Sequence, residues 1–116
     1  CPSFLLESIL MLVIIESPYM GDVKSNIAYA RQCMGDSLKR GEAPFASHLL
    51  YTQILDDTIP QQRMMGMQRA FEWYRCADLM AVYTDKGISS GMQKGMEIAE
   101  EFGIKIEYRR LDGNNC

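Results

Sequence analysis

A small-residue loop near the C-terminus carries the first chemical signal of the chain. In the string GISSGM, Ser89, Ser90 and Gly91 come directly before a segment with helical spacing, in which Met92 is the first apolar residue. Backbone N–H groups at the start of a helix are free to donate, and serine hydroxyls add further donors, so such a loop can hold a phosphate. The same serines also suit an ordinary helix N-cap, and the two roles are compatible.

Two other loops, ESPYMGD and SHLLYTQILDD, carry polar and aromatic side chains that suit a small ligand. The candidate ligand-binding residues in them are Ser17, Pro18, Tyr19, His48, Tyr51 and Asp57. A tyrosine ring can stack on a base or cover the end of a sheet, and an aspartate can bond a ribose hydroxyl or cap a following helix. The histidine, the only one in the chain, is equally compatible with a structural role and with ligand contact.

Four short apolar segments alternate with three helical patterns, and these elements must position the loops. Strands are predicted at residues 11–15, 43–46, 79–83 and 104–108. Strict alternation predicts a three-layer α/β domain of Rossmann or flavodoxin type, with a parallel sheet of at least four strands in the order 2-1-3-4. Ligands of such sheets bind beyond the C-terminal strand ends, where the three loops and Asp85 lie. Residues 11–110 are assigned to this domain, residues 1–10 to an N-terminal extension and residues 111–116 to a polar tail.

Composition and charge argue against several classes of partner. The 116 residues carry a formal charge of −3 with no basic block, so a nucleic-acid polymer is not an expected partner. The apolar opening stretch lacks a basic start, contains Glu7 and is too short to span a bilayer, so no membrane association is expected. Four cysteines without metal-ligand spacing predict no zinc and no other cofactor, and favour a reducing, cytoplasmic compartment.

Taken in order, several strings resemble the nucleoside 2-deoxyribosyltransferase-like superfamily, including its small phage and bacterial domains. They are SPYMGD, APFASHLLYTQILDD, CADLMAVYTDKGISSGM and FGIKI, with Arg63 and Trp73 on the helix between them. The resemblance covers roughly residues 11–108. It implies a nucleoside or nucleotide ligand, and a homo-oligomer in which neighbours complete each other's pockets. Members with known chemistry cleave or transfer an N-glycosidic bond.

The resemblance also implies where a catalytic carboxylate belongs. The family's nucleophilic glutamate lies at the start of the third helix, four residues after a loop glycine. Counting four from Gly91, or back eight from Gly103, gives Gly95, which has no side chain. Glu97 fits only if the helix is two residues shorter, because two residues rotate a side chain by ~200° around a helix. The favoured prediction is a nucleotide-binding protein without the usual nucleophile, such as a sensor or sequestering protein for a nucleotide signal.

Two alternatives stay open, so the sequence does not decide whether the protein is an enzyme. One is an active deoxyribosyltransferase or nucleotide N-glycosidase that uses Glu97 or another cleft carboxylate, such as Asp57 or Asp85. The other is an oligomeric interaction module whose cleft is vestigial. The base, the sugar and the phosphorylation state of the ligand are not specified by these patterns.

Overall fold

A computed structural model describes residues 10–112, which form a parallel sheet with helices on both faces. The strands are β1 (Leu12–Glu16), β2 (Ala43–Phe45), β3 (Leu79–Tyr83) and β4 (Lys105–Arg109). Their order is β2-β1-β3-β4, and all neighbours are parallel. The predicted three-layer fold with strand order 2-1-3-4 is confirmed. The predictions for residues 1–9 and 113–116 lie outside the described residues.

The two central strands are apolar along their length because both of their faces are covered. Val13 and Ile15 of β1 point to one face of the sheet and join the core under the first helix. Ile14 points to the other face, where it packs with Met80 and Val82 of β3. Successive side chains of a strand alternate between faces, so a continuous apolar run supplies two cores at once.

Within residues 10–112, three α-helices complete the layers: α1 (Val23–Lys39), α2 (Pro60–Trp73) and α3 (Ser90–Glu101). Asp22 caps α1 by accepting from the N–H of Ser25. Proline starts α2, where its missing N–H does no harm. The two 3₁₀ turns Ser47–Leu49 and Tyr51–Gln53 lie between β2 and α2. No helix within residues 10–112 has the length and apolar character needed to cross a bilayer.

The loop between β3 and α3 turns sharply, and that turn places the start of α3 at the C-terminal edge of the sheet. Gly87 donates its N–H to the carbonyl of Thr84 at 2.9 Å and has φ of 84°, a conformation that favours glycine. Ser89 then caps α3, its hydroxyl accepting from the N–H of Met92 at 3.2 Å. The predicted N-cap role of this serine is therefore present in the structure.

Candidate functional site

A cleft of about 900 Å³, counting its open mouth, lies at the C-terminal edge of the sheet. Most of the predicted ligand-binding residues line it: Ser17, Tyr19, His48, Tyr51, Asp57, Ser89, Ser90, Gly91 and Met92. The structure thus brings three loops together around one space, and the role of these residues as ligand contacts stays a prediction.

Three of the predicted site residues do not line the cleft. Pro18 is buried beside it. Glu97 is exposed two residues beyond Gly95, so the rotation of the helix turns it away from the cleft. Asp85 accepts from the hydroxyl of Tyr29 at 2.7 Å and from the N–H of Leu111 at 3.0 Å. Its carboxylate therefore links the loop after β3 to α1 and to the segment after β4. Of the three carboxylates named as possible nucleophiles, Glu97 and Asp85 therefore do not line the cleft, whereas Asp57 does.

A carboxyl group that the sequence analysis did not single out, that of Glu16, does line the cleft. It ends β1, and its Oε2 accepts a hydrogen bond from the hydroxyl of Tyr74 at 2.8 Å. Burial raises the pKa of Glu16 to about 8, although the hydrogen bond from Tyr74 acts in the opposite direction. In the empty cleft this carboxyl is therefore mostly protonated at pH 7.

Gly95 is what leaves room for the Glu16 carboxyl group. A Cβ atom on residue 95 would overlap Oε2 of Glu16, lie 2.9 Å from its Cδ and lie 3.1 Å from the hydroxyl oxygen of Tyr74. The position that lacks a side chain on α3 is thus filled from β1. One sequence signal points to Glu16: it is an acidic residue that ends an apolar strand, at the edge where ligands of such sheets bind.

Ser17 and His48 form a second polar pair in the cleft. Oγ of Ser17 and Nε2 of His48 lie 2.6 Å apart and share a hydrogen bond. Burial lowers the pKa of His48 to about 4, so the ring is neutral at pH 7. None of the carboxylates in residues 10–112 bonds to this ring, so the pair lacks the third group that orients a catalytic histidine. Its geometry suits hydrogen bonding to a polar ligand.

The neutral state of His48 gives a testable pH dependence. Its folded pKa of about 4 lies below the ordinary 6.5, so the unfolded chain binds more protons between these values. The contribution of the buried neutral His48 ring to the free energy of unfolding is complete above pH 6.5 and is lost as the pH falls toward 4. We expect His48→Gln to reduce the acid-induced fall in unfolding free energy by about 1–2 kcal/mol. Urea denaturation at pH 7.0 and pH 4.5 measures the difference. Equal losses in both proteins would contradict the assignment.

Arg63 of α2 brings positive charge to the start of α3. Its Nη2 lies 3.9 Å from the position that a Cβ on Gly91 would take. Its Nη1 lies 3.8 Å from Oδ2 of Asp57, a separation that leaves the guanidinium donors largely available. The first N–H groups of a helix have no intrahelical partner and carry partial positive charge. The guanidinium and the helix end together favour an anion at this end of the cleft.

The remaining wall of the cleft is apolar and aromatic. It is formed mainly by Met20, Leu55, Met67, Ala70 and Phe71. The hydroxyl of Tyr51 accepts from Nε1 of Trp73 at 2.9 Å, which holds the tyrosine ring beside this wall. No group of three or more His, Cys, Asp or Glu side chains in the described part of the chain is arranged to hold a metal ion. The cleft therefore suits a flat organic group with an attached anion.

Comparison with known proteins gives a family and a fold. Residues 11–109 match the model of DUF7768, a domain of unknown function. No curated protein shows significant similarity to the chain. Among solved structures, a 2-desoxiribosyltransferase from Leishmania mexicana superposes with a TM-score of 0.61 at 12% identity. The match covers 86% of this chain and 64% of that one, so this chain spans less than two thirds of its length. At this identity the likeness shows a shared α/β fold.

Proposed function

The chain belongs to the DUF7768 family, and we propose that its cleft binds a nucleoside or a nucleotide. The observation that carries the proposal is the approach of Arg63 to the first turn of α3, which creates an anion site at one end of a cleft that also has an apolar and aromatic wall. A nucleotide combines the two chemistries, since its base is flat and its phosphate is anionic. The fold shared with a 2-desoxiribosyltransferase supports the same ligand class.

The parts of such a ligand have matching positions in the cleft. The phosphate is placed at the N-terminus of α3, where Ser90 and Gly91 present backbone N–H groups beside the Arg63 guanidinium. The base is placed against the apolar wall, where Tyr19 and Tyr51 offer rings for stacking. The sugar then lies between these two ends, over the floor of the cleft. Binding without cleavage would make the protein a sensor or a sequestering protein, as the empty position on α3 led us to predict.

A ligand screen tests this proposal directly. Thermal shift and titration calorimetry with deoxynucleosides and their 5′-monophosphates are expected to show stabilisation by at least one base. A ligand at 100 times its Kd stabilises the folded state by about 2.7 kcal/mol. Arg63→Ala is expected to weaken monophosphate binding by about 10-fold or more, because a charge-assisted hydrogen bond contributes about 1.5–3 kcal/mol, while nucleoside binding stays unchanged.

Arg69→Ala is the matched control for that variant. Arg69 is exposed on the same helix and does not line the cleft, so its removal changes the net charge equally without touching the anion site. Equal weakening by both substitutions would show a general charge effect and contradict the placed phosphate. If no nucleoside or nucleotide stabilises the protein, the proposal is wrong, and the alternative of an oligomeric interaction module with a vestigial cleft is favoured.

A further inference from the structure

We infer that Glu16 is the catalytic carboxylate of this cleft, supplied by β1 in the space that Gly95 leaves on α3. The reaction is cleavage of the N-glycosidic bond of the bound nucleoside or nucleotide. This inference rests on the proposed function and adds a reaction to it. It also replaces the prediction of binding without cleavage, which depended on position 95 being empty.

Residues 16 and 95 share a volume at the edge of the cleft. A Cβ on residue 95 would overlap Oε2 of Glu16, so a side chain at either position begins or ends in the same part of the cleft. The family resemblance places the attacking carboxylate at residue 95. In this chain Oε2 of Glu16 lies where the Cβ atom of a side chain at residue 95 would be, although the carboxyl group comes from another element. The Glu16 carboxyl group thus lines the part of the cleft beside α3 where a side chain at residue 95 would begin.

The Glu16 carboxyl group is held by a hydrogen bond to one of its two oxygens. Tyr74 is only 3% exposed and donates its hydroxyl hydrogen to Oε2 at 2.8 Å. The Tyr74 ring is fixed in turn by an edge contact with Phe71, with centroids 5.4 Å apart. No donor among residues 10–112 bonds to Oε1 of Glu16. Because no buried side-chain oxygen in these residues lacks a partner, Oε1 is an accessible atom. One oxygen is therefore anchored while the other is open to the ligand.

Burial disfavours the ionised form of the Glu16 carboxyl group, and it raises the pKa of this group to about 8. The transition state of glycosidic cleavage carries positive charge on the sugar, and a nearby carboxylate with few other partners stabilises that charge strongly. The cost of ionising the buried Glu16 carboxyl group is therefore offset when positive charge develops on the sugar.

The reaction proceeds in two balanced steps. In the first, Oε1 of ionised Glu16 forms a bond to the anomeric carbon while the C–N bond breaks. The electron pair goes to the base nitrogen, which takes a proton from a water molecule, so the base leaves and a hydroxide ion remains. In the second, the oxygen of another water molecule attacks the anomeric carbon, the ester bond to Glu16 breaks, the carboxylate is restored, and the proton that this water loses neutralises the hydroxide ion. The sum is nucleoside plus water giving free base plus sugar.

The first test is release of base, followed by chromatography, using the full chain and the deoxynucleosides and 5′-monophosphates of the ligand screen. Glu16→Gln is expected to reduce release by at least about 10³-fold, as loss of a nucleophile does, with Kd changed less than about threefold. Glu100→Gln, the same substitution at an exposed residue of α3, is the control and leaves release unchanged. Release by the unmodified protein should rise with pH toward about 8, as Glu16 ionises.

The second test moves the carboxyl group back to the helix. Gly95→Ala should displace the Glu16 tip and reduce release by on the order of 10²-fold, because small misplacements of a reacting group have such effects. Glu16→Ala removes the obstacle, so Glu16→Ala with Gly95→Glu should release base at least about 10-fold faster than Glu16→Ala alone. Glu16→Ala with Gly95→Gln is the uncharged control and should stay at background. A structural role for Glu16 would give no such rescue.

The outcomes separate this inference from the proposed function. If the protein binds a nucleotide but releases no base from any ligand it binds, Glu16 is not catalytic and the proposed function stands. If release occurs and Glu97→Gln abolishes it while Glu16→Gln does not, the inference is wrong and the helix carboxylate is the nucleophile. If nothing binds and nothing is released, both fail. Circular dichroism and melting temperature confirm that each variant is folded.

Discussion

Arg109→Met is expected to lower the free energy of unfolding by about 3–5 kcal/mol at pH 7, because it leaves a buried carboxylate without its cation. The Arg109 side chain is 1% exposed at the end of β4. Its Nη1 and Nη2 donate to the two oxygens of Glu42 at 2.8 and 2.6 Å, and its Nε donates to Glu107 at 2.6 Å. The Glu42 side chain is only 12% exposed, so water cannot replace these donors.

Urea denaturation of two further variants gives this prediction its controls. Arg75→Met removes an exposed arginine whose side chain and that of its partner Glu72 are 64% and 66% exposed, and we expect less than about 0.5 kcal/mol. Arg109→Met combined with Glu42→Leu should recover part of the loss, since the unpaired charge is then gone as well. A loss below about 1 kcal/mol for Arg109→Met alone would show that water or another cation compensates Glu42.

Glu16→Gln is expected to stabilise the protein progressively as the pH rises from 5 to 9, reaching on the order of 3 kcal/mol. The folded-state pKa of about 8 lies above the ordinary 4.5, so the folded protein holds this proton after the unfolded chain has lost it. The contribution of protonated Glu16 to the free energy of unfolding is complete below pH 4.5 and is lost as the pH rises toward and through 8. Glutamine does not titrate, so its variant does not lose stability in this range.

The pH series must therefore show a difference that grows rather than a constant offset. At pH 5 the two proteins should be nearly equally stable, and by pH 9 the variant should be clearly more stable in urea. The His48 effect acts below pH 6.5 and has the opposite sign, so the two windows do not interfere at high pH. A pH-independent difference would mean that Glu16 is not the group whose burial raises the pKa. Higher stability with lower activity is the usual relation at a functional site.

The fold was predictable because its determinants are local. The segments 11–15 and 79–83 are continuous apolar runs, which require cover on both faces and so belong in the middle of a parallel sheet. Alternation with helices then determines the hand and direction of the connections. The predicted strand positions match those observed to within about one residue, and β1 ends at Glu16 rather than at Ile15. The predicted strand thus left out the residue whose carboxyl group lines the cleft.

Most of the residues that line the cleft could be predicted from the sequence, but the contacts that each side chain makes could not. Parallel strands end at the same edge, so Ser17, His48 and Ser90 had to meet there. The contacts of each group depend on residues far away in the sequence. Asp85 is engaged by Tyr29 and Leu111, and its position after β3 gives no sign of that.

The shared volume of residues 16 and 95 has a consequence for how such a sequence can diverge. The two positions are tied, because a side chain on α3 would require the tip of the glutamate at the end of β1 to move. A carboxylate therefore cannot migrate from one element to the other by a single substitution without crowding. The path that avoids crowding passes through a protein with glycine on α3 and no acid on β1. A protein on that path keeps the cleft and the approach of Arg63 to α3, but it has no carboxyl group beside position 95.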